Sequence, residues 1–201
     1  MCTCPPHIYI RSGNYKKGIA VNEEAVKGYY NYLSKYPVVV NNSFLYLMHN
    51  LHMKAACAGM DGQYAEALRF SNETRNSIDS ASLDAGGYFG MYSQYLYMSP
   101  LFAQIRFGKW NDLLNAPPIP SQRVYANTMW HFGKGLAYAR KQQFYKAAME
   151  LERMSDSAKS SQLQEHPPAF NPGLTAVQVA EKILHGVIAE EKMNLHSLLR
   201  F

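Results

Sequence analysis

Apolar residues recur at intervals of three and four along most of this chain, the spacing that lines one face of a helix. Over 15–34, Tyr15, Ile19, Ala25-Val26 and Tyr29-Tyr30 mark such a face, and Pro37 ends it. A shorter helix over 5–12 precedes it, started by Pro5-Pro6 and stopped at Gly13. Val38-Val39-Val40 is too short for a sheet with no partner strand in view, so it reads as a connection. Asn42-Ser43 offers an N-cap for a helix over 44–59, and another follows over 64–80. Turn residues fill 80–87, with Gly86-Gly87-Tyr88-Phe89-Gly90 read as a flexible connection. The aromatic and Met-rich stretch 89–107 reads as one helix broken where Ser99 caps Pro100. A stub over 110–115 is cut by Pro117-Pro118 and Pro120; Ser121 then caps a helix over 122–141. The last two helices are expected over 144–160 and 175–192, separated by the loop at His166-Pro167-Pro168.

One device punctuates these helices. In Gly62-Gln63-Tyr64-Ala65-Glu66-Ala67-Leu68, a glycine able to take positive φ ends one helix, and Tyr64 and Ala67 share a face of the next. Gly13-Asn14-Tyr15-Lys16-Lys17-Gly18 repeats it, and Gly108-Lys109-Trp110-Asn111-Asp112-Leu113 keeps the glycine and the aromatic. Gln142-Gln143-Phe144-Tyr145-Lys146-Ala147 keeps the aromatic and the alanine without the glycine.

The series resembles the tetratricopeptide repeat (TPR), whose units of about 34 residues are helix pairs with Gly-x-Tyr-x-x-Ala opening the second helix. The resemblance implies an all-α fold, an α-α superhelix (TPR-like solenoid) of antiparallel helix pairs. It would form one domain over 1–201, with units near 1–36, 43–80, 89–116 and 122–161 and a partial fifth over 174–201. The turn positions stand 49, 46 and 34 residues apart, so two connections are expected to be elongated. Met193-Asn194-Leu195-His196-Ser197-Leu198 aligns as a degenerate turn opening a further helix. Both ends then fall inside a unit, which makes a piece of a longer array the expectation.

In that family the first helix of each unit lines a concave face, through positions two, six, ten and thirteen before the turn. Two before stand Arg11, Met60, Arg106, Arg140 and Glu191; six before, His7, Ala56, Phe102, Leu136 and Val187. Ten before stand Thr3, His52, Met98, Phe132 and Ile183; thirteen before, His49, Tyr95, Met129 and Ala180. The implied groove carries Arg11, Arg106, Arg140, His49, His52, Tyr95 and Phe132. Its arginine forks suit a peptide with acidic side chains or a free C-terminus. The plainer reading is that an arginine at a helix C-terminus complements the helix dipole. His49 and His52 are neighbours on one helix face, and His7 comes from the preceding unit. Together they form the alternative site, a metal or small-ligand centre, hydrolytic in one version, with zinc as the cofactor. Related repeat proteins carry His-x-Pro-x-His and His-Asn-x-His stretches. Here the second is His49-Asn50-Leu51-His52, while the first is Thr3-Cys4-Pro5-Pro6-His7, with Thr3 in place of a histidine. Cys4 could replace that ligand, and Asn22 and Asn50 could orient the imidazoles. Cys2 and Cys4 by themselves resemble a loose zinc spacing that lacks a fourth ligand.

Composition narrows the classes. Basic residues exceed acidic ones by a net charge of +5 and are dispersed, which disfavours nucleic acid and leaves RNA as the third-ranked partner. No apolar run is long enough for a membrane helix, and a cytoplasmic protein is expected if the chain start is native. Three cysteines cannot all pair within the chain, and Cys57 reads as a buried thiol. Gly-x-Ser-x-Gly, Gly-x-Gly-x-x-Gly after a strand, a phosphate-binding loop and His-Glu-x-x-His are all missing. The leading expectation is therefore a non-enzymatic scaffold for a protein or peptide, with no cofactor.

Overall fold

The computed structural model describes residues 4–36, 43–164 and 172–198. The readings made at Cys2, Thr3, Val38-Val39-Val40, Asn42 and His166-Pro167-Pro168 lie outside them. The described residues are helical, in the order α1 (Cys4–Arg11), α2 (Tyr15–Lys35), α3 (Ser43–Met60), α4 (Tyr64–Asn76), α5 (Ser80–Leu83) and α6 (Gly87–Tyr97). There follow α7 (Ser99–Arg106), α8 (Trp110–Asn115), α9 (Val124–Arg140), α10 (Phe144–Ser157), a 3₁₀ turn at Ser161–Gln164 and α11 (Gly173–Leu198). Among the described residues no helix is long and apolar enough to cross a membrane.

The four turns foreseen from the aromatic-and-small pattern share one backbone geometry. Gly13, Gly62, Gly108 and Gln142 take φ of 75°, 76°, 63° and 59°. In each turn the next residue's N–H reaches back to a carbonyl five residues earlier: Asn14 to Tyr9, Gln63 to Ala58, Lys109 to Gln104 and Gln143 to Tyr138, all within 3.0 Å. That bond, with the shorter one made by the left-handed residue itself, is the Schellman ending, which satisfies carbonyls the helix would otherwise orphan. The following helix then starts on Tyr15, Tyr64, Trp110 or Phe144, and three residues later Gly18, Ala67, Leu113 or Ala147 is buried. Gln142 alone among non-glycine described residues bears the cost of the left-handed conformation.

The chain divides into two compact units, Met1–Ile78 and Asp79–Phe201. In the first, α1 to α4 pack in sequence, each on the next. Val26, Leu47 and Leu51 close the α2–α3 seam, and Gly18 lets α2 approach Cys57 so nearly that a Cβ there would lie 2.6 Å from its Sγ. In the second unit α9 is the central element, touched by α6, α7, α8, α10 and α11. Its sequence explains this. Ala126, Ala137 and Ala139 are fully buried, and a Cβ on Gly133 or Gly135 would meet Leu101 of α7 at 2.9 Å or Leu184 of α11 at 2.5 Å. Small residues on its packed faces let these neighbours approach, while Trp130, His131, Lys134 and Tyr138 keep one side partly exposed.

Several boundaries differ from the sequence reading. The helix expected to reach residue 80 ends at Asn76, and Asp79 instead caps the short α5 by accepting from the Ser82 N–H at 2.6 Å. The glycine-rich connection is helical: Gly87 opens α6, and Gly90 has no room for a Cβ because the Ala85 carbonyl would lie 1.8 Å away. Ser99 does not cap α7; its hydroxyl donates to the Leu96 carbonyl at 2.6 Å. Ser121 caps nothing, since α9 starts at Val124 with no side-chain cap. Met193–Leu198 is not a turn: α11 runs through it to Leu198.

Candidate ligand-binding site

In the second unit, three helices present apolar stripes to a common space. On α6 the stripe is Tyr88, Met91, Tyr92 and Tyr95, at one face of the helix. On α9 it is Tyr125, Met129 and Phe132, again at intervals of four and three. On α11 it is Ala176, Val179, Ala180 and Ile183, and α7 adds Phe102. They line an open cavity of about 560 Å³. That is the size of a pocket for a small molecule or for several side chains. The rings brace each other: Tyr88 stacks on Tyr92 at 5.8 Å between centroids, and Tyr95 meets Tyr125 edge-on at 6.3 Å. Such offset and edge-on contacts hold the wall in one arrangement. At the mouth, Val179 and Ile183 stay 54% and 49% exposed.

The side-chain polar groups of this wall are the tyrosine phenols and the Thr175 hydroxyl. Burial pushes the Tyr92 phenol up to about 12, helped by the neighbouring phenols of Tyr88 and Tyr95. Burial likewise raises Tyr95 and Tyr125. These hydroxyls are neutral at physiological pH and can donate or accept hydrogen bonds. Among the described residues, those lining the cavity include no carboxylate, imidazole, thiol, ammonium or guanidinium.

No family model, curated protein or solved structure matches the chain. The site is therefore read from its own residues.

Of the groove residues expected from the sequence, the structure brings Tyr95 and Phe132 together in this cavity. Phe102, Met129, Ala180 and Ile183, which occupy the other groove offsets, line it too. The arginines do not. Arg140 ends α9, and its Nη1 donates to Glu191 at 2.5 Å and lies 3.5 Å from Glu190, both on α11. Arg140 and Glu191, assigned the same offset in successive units, thus neutralise one another. Arg11 and Arg106 stand exposed in the last turns of α1 and α7, where the helix dipole favours a cation.

His49 and His52 belong to the first unit, as does His7. The His7 and His49 rings stack at 5.2 Å with planes 22° apart, joining α1 to α3. Burial lowers the His49 pKa, with the His7 charge adding to it. Burial then His49 push His52 down to about 4. Among the described residues no three of His, Cys, Asp and Glu are grouped to hold a metal ion. Asn22 and Asn50 donate to the carbonyls of Gly18 and Tyr46 on their own helices, at 2.7 and 2.6 Å, so these amide donors serve the backbone.

The sequence reading missed Tyr88, Met91 and Tyr92 as site residues, and Tyr125 and Val179 with them. Tyr95 and Tyr125 also pack α6 on α9. No signal in the sequence separates Tyr88, Met91 and Tyr92 from ordinary inter-helix packing, because exposure is not visible in a sequence.

Proposed function

We propose that this chain is a TPR-like helical array serving as a non-enzymatic scaffold that binds a protein or peptide. The observation that carries the function is the convergence of Tyr95, Phe102, Met129, Phe132, Ala180 and Ile183 on one uncharged cavity. Those positions were singled out because the repeat resemblance assigns them to a concave face. The four Schellman turns, each followed by an aromatic and three of them by a buried glycine or alanine, support the repeat reading. The partner inserts apolar side chains, each contributing about 1.5–3 kcal/mol on full burial. The acidic partner expected from the arginines has less support, because Arg140 is occupied by Glu191 and no arginine lines the cavity.

The test begins with peptides selected on the purified full chain from a random displayed library. Enrichment of aromatic and large aliphatic residues is expected. Val179→Glu and Ile183→Glu, both at exposed positions that folding tolerates, should weaken the selected peptides at least 10-fold with helical circular dichroism unchanged. Equal binding by the variants would remove the cavity from the recognition surface. Arg106→Glu separates the acidic-ligand version, which alone requires that residue.

A further inference from the structure

The cavity has a neighbour. A second space of about 320 Å³ lies between the α5–α6 connection, the start of α9 and the 3₁₀ turn. Its wall contains Asp84, the backbone of Gly86 and Gly87, and three glutamines, Gln94, Gln122 and Gln162. Met91 and Tyr125 line both spaces, so the two are separated by those side chains. Met91 is the movable part of that partition, an unbranched thioether with several rotatable bonds. Tyr125 is buried and braced by Tyr95.

The two chambers differ in character. The larger is aromatic and aliphatic. The smaller offers amides and main-chain groups, and its one carboxylate is already balanced. Asp84 accepts from the Arg123 guanidinium at 2.7 and 3.0 Å through both oxygens. Gln94 is committed as well, donating to the Leu83 carbonyl and accepting from the Ala126 N–H. Gln122 and Gln162 are exposed and are the amides available to a ligand. A carboxylate entering this chamber would meet the like charge of Asp84, and an ammonium would lose its water to find both Asp84 oxygens already held by Arg123. A neutral amide or hydroxyl meets neither penalty and can both donate to and accept from glutamine.

We infer that the site recognises an apolar, preferably aromatic, body joined directly to an uncharged hydrogen-bonding group, the body in the larger chamber and the polar group beside Gln122 and Gln162. A peptide supplies this chemistry as an internal aromatic residue with its flanking amides, which excludes a chain terminus as the recognised feature. The inference rests on the cavity being the recognition site and specifies what enters it.

Four probes with one body test it on the full chain by ligand-observed NMR titration: N-acetyl-tryptophanamide, N-acetyl-tryptophan, tryptamine and indole. The neutral amide is expected to bind about 10-fold tighter than each of the other three. Gln122→Ala combined with Gln162→Ala should bring the amide to the level of indole and leave indole unchanged. If indole binds but the four probes are equal, or the double variant leaves the amide's advantage intact, this inference is overturned and the cavity stands. If none binds, or Ile183→Glu leaves binding as it was, the reading of the cavity itself fails. Preference for the carboxylate or the amine would overturn the neutral-head assignment in the same measurement.

Discussion

His52 lies one helical turn beyond His49, in a part of α3 that admits little water, and this gives the first unit a defined response to acid. An unfolded chain protonates this imidazole near 6.5, whereas in the fold burial and then the His49 charge lower its pKa to about 4. Between those values the unfolded state binds more protons, so stability rises with pH through the window and is level above it. Acidification from pH 7 to pH 4 should therefore cost on the order of 3 kcal/mol from His52, with His49 acting in the same direction. Urea midpoints measured across that range should fall as pH falls, and His52→Gln should flatten the slope. A slope unchanged by the substitution would show that other groups set it. At this same scale Gln142 shows what the sequence hides, since a glutamine gives no notice that its φ is 59°. Only its place in the series, two residues before the helix-opening Phe144, points to a turn there.

At the scale of the elements, glycines set how closely some neighbouring helices approach. In the first unit the approach is Gly18 of α2 against Cys57 of α3, where an added Cβ would stand 2.6 Å from Sγ. The sulfur belongs to a fully buried side chain, so it cannot swing clear. Gly18→Ala is expected to destabilise by about 1–3 kcal/mol through overpacking, despite the better helix propensity of alanine. Cys57→Ala removes the obstacle, so adding it to Gly18→Ala should recover most of that loss. Thermal melts of the four proteins form the double-mutant cycle, and additive effects would show that the two sites are not in contact. Between α9 and α11, Gly135 plays the corresponding role against Leu184. Arg140 with Glu191 adds a partly exposed ion pair at the same seam, worth at most about 1 kcal/mol.

For the whole molecule, the division at residues 78 and 79 has a direct consequence. The core that runs from Met98 to Ile188 draws on the second unit alone, and so does every residue that lines the aromatic cavity. A fragment of residues 79–201 should therefore be helical, unfold cooperatively in denaturant and bind the indole probes as the full chain does. Non-cooperative unfolding of that fragment would show that the second unit depends on the first.

The helices and the three glycine turns were legible in the sequence because they follow from local rules. Periodicity places Tyr95, Phe102, Met129 and Phe132 on helix faces, and a glycine two residues before an aromatic marks the left-handed turn; that those faces line a groove came only from the repeat resemblance. What no local rule could give was which faces meet. α9 became the centre of the second unit because Gly133, Gly135 and its buried alanines let α7, α8 and α11 approach closely, a property of packing in three dimensions. Arg140 was placed correctly on its helix yet left the ligand surface, because Glu191, 51 residues later, was brought within 2.5 Å of it. The cavity itself belongs to the tertiary structure: three separate apolar stripes, each able to pack fully, were held just far enough apart to leave room between them.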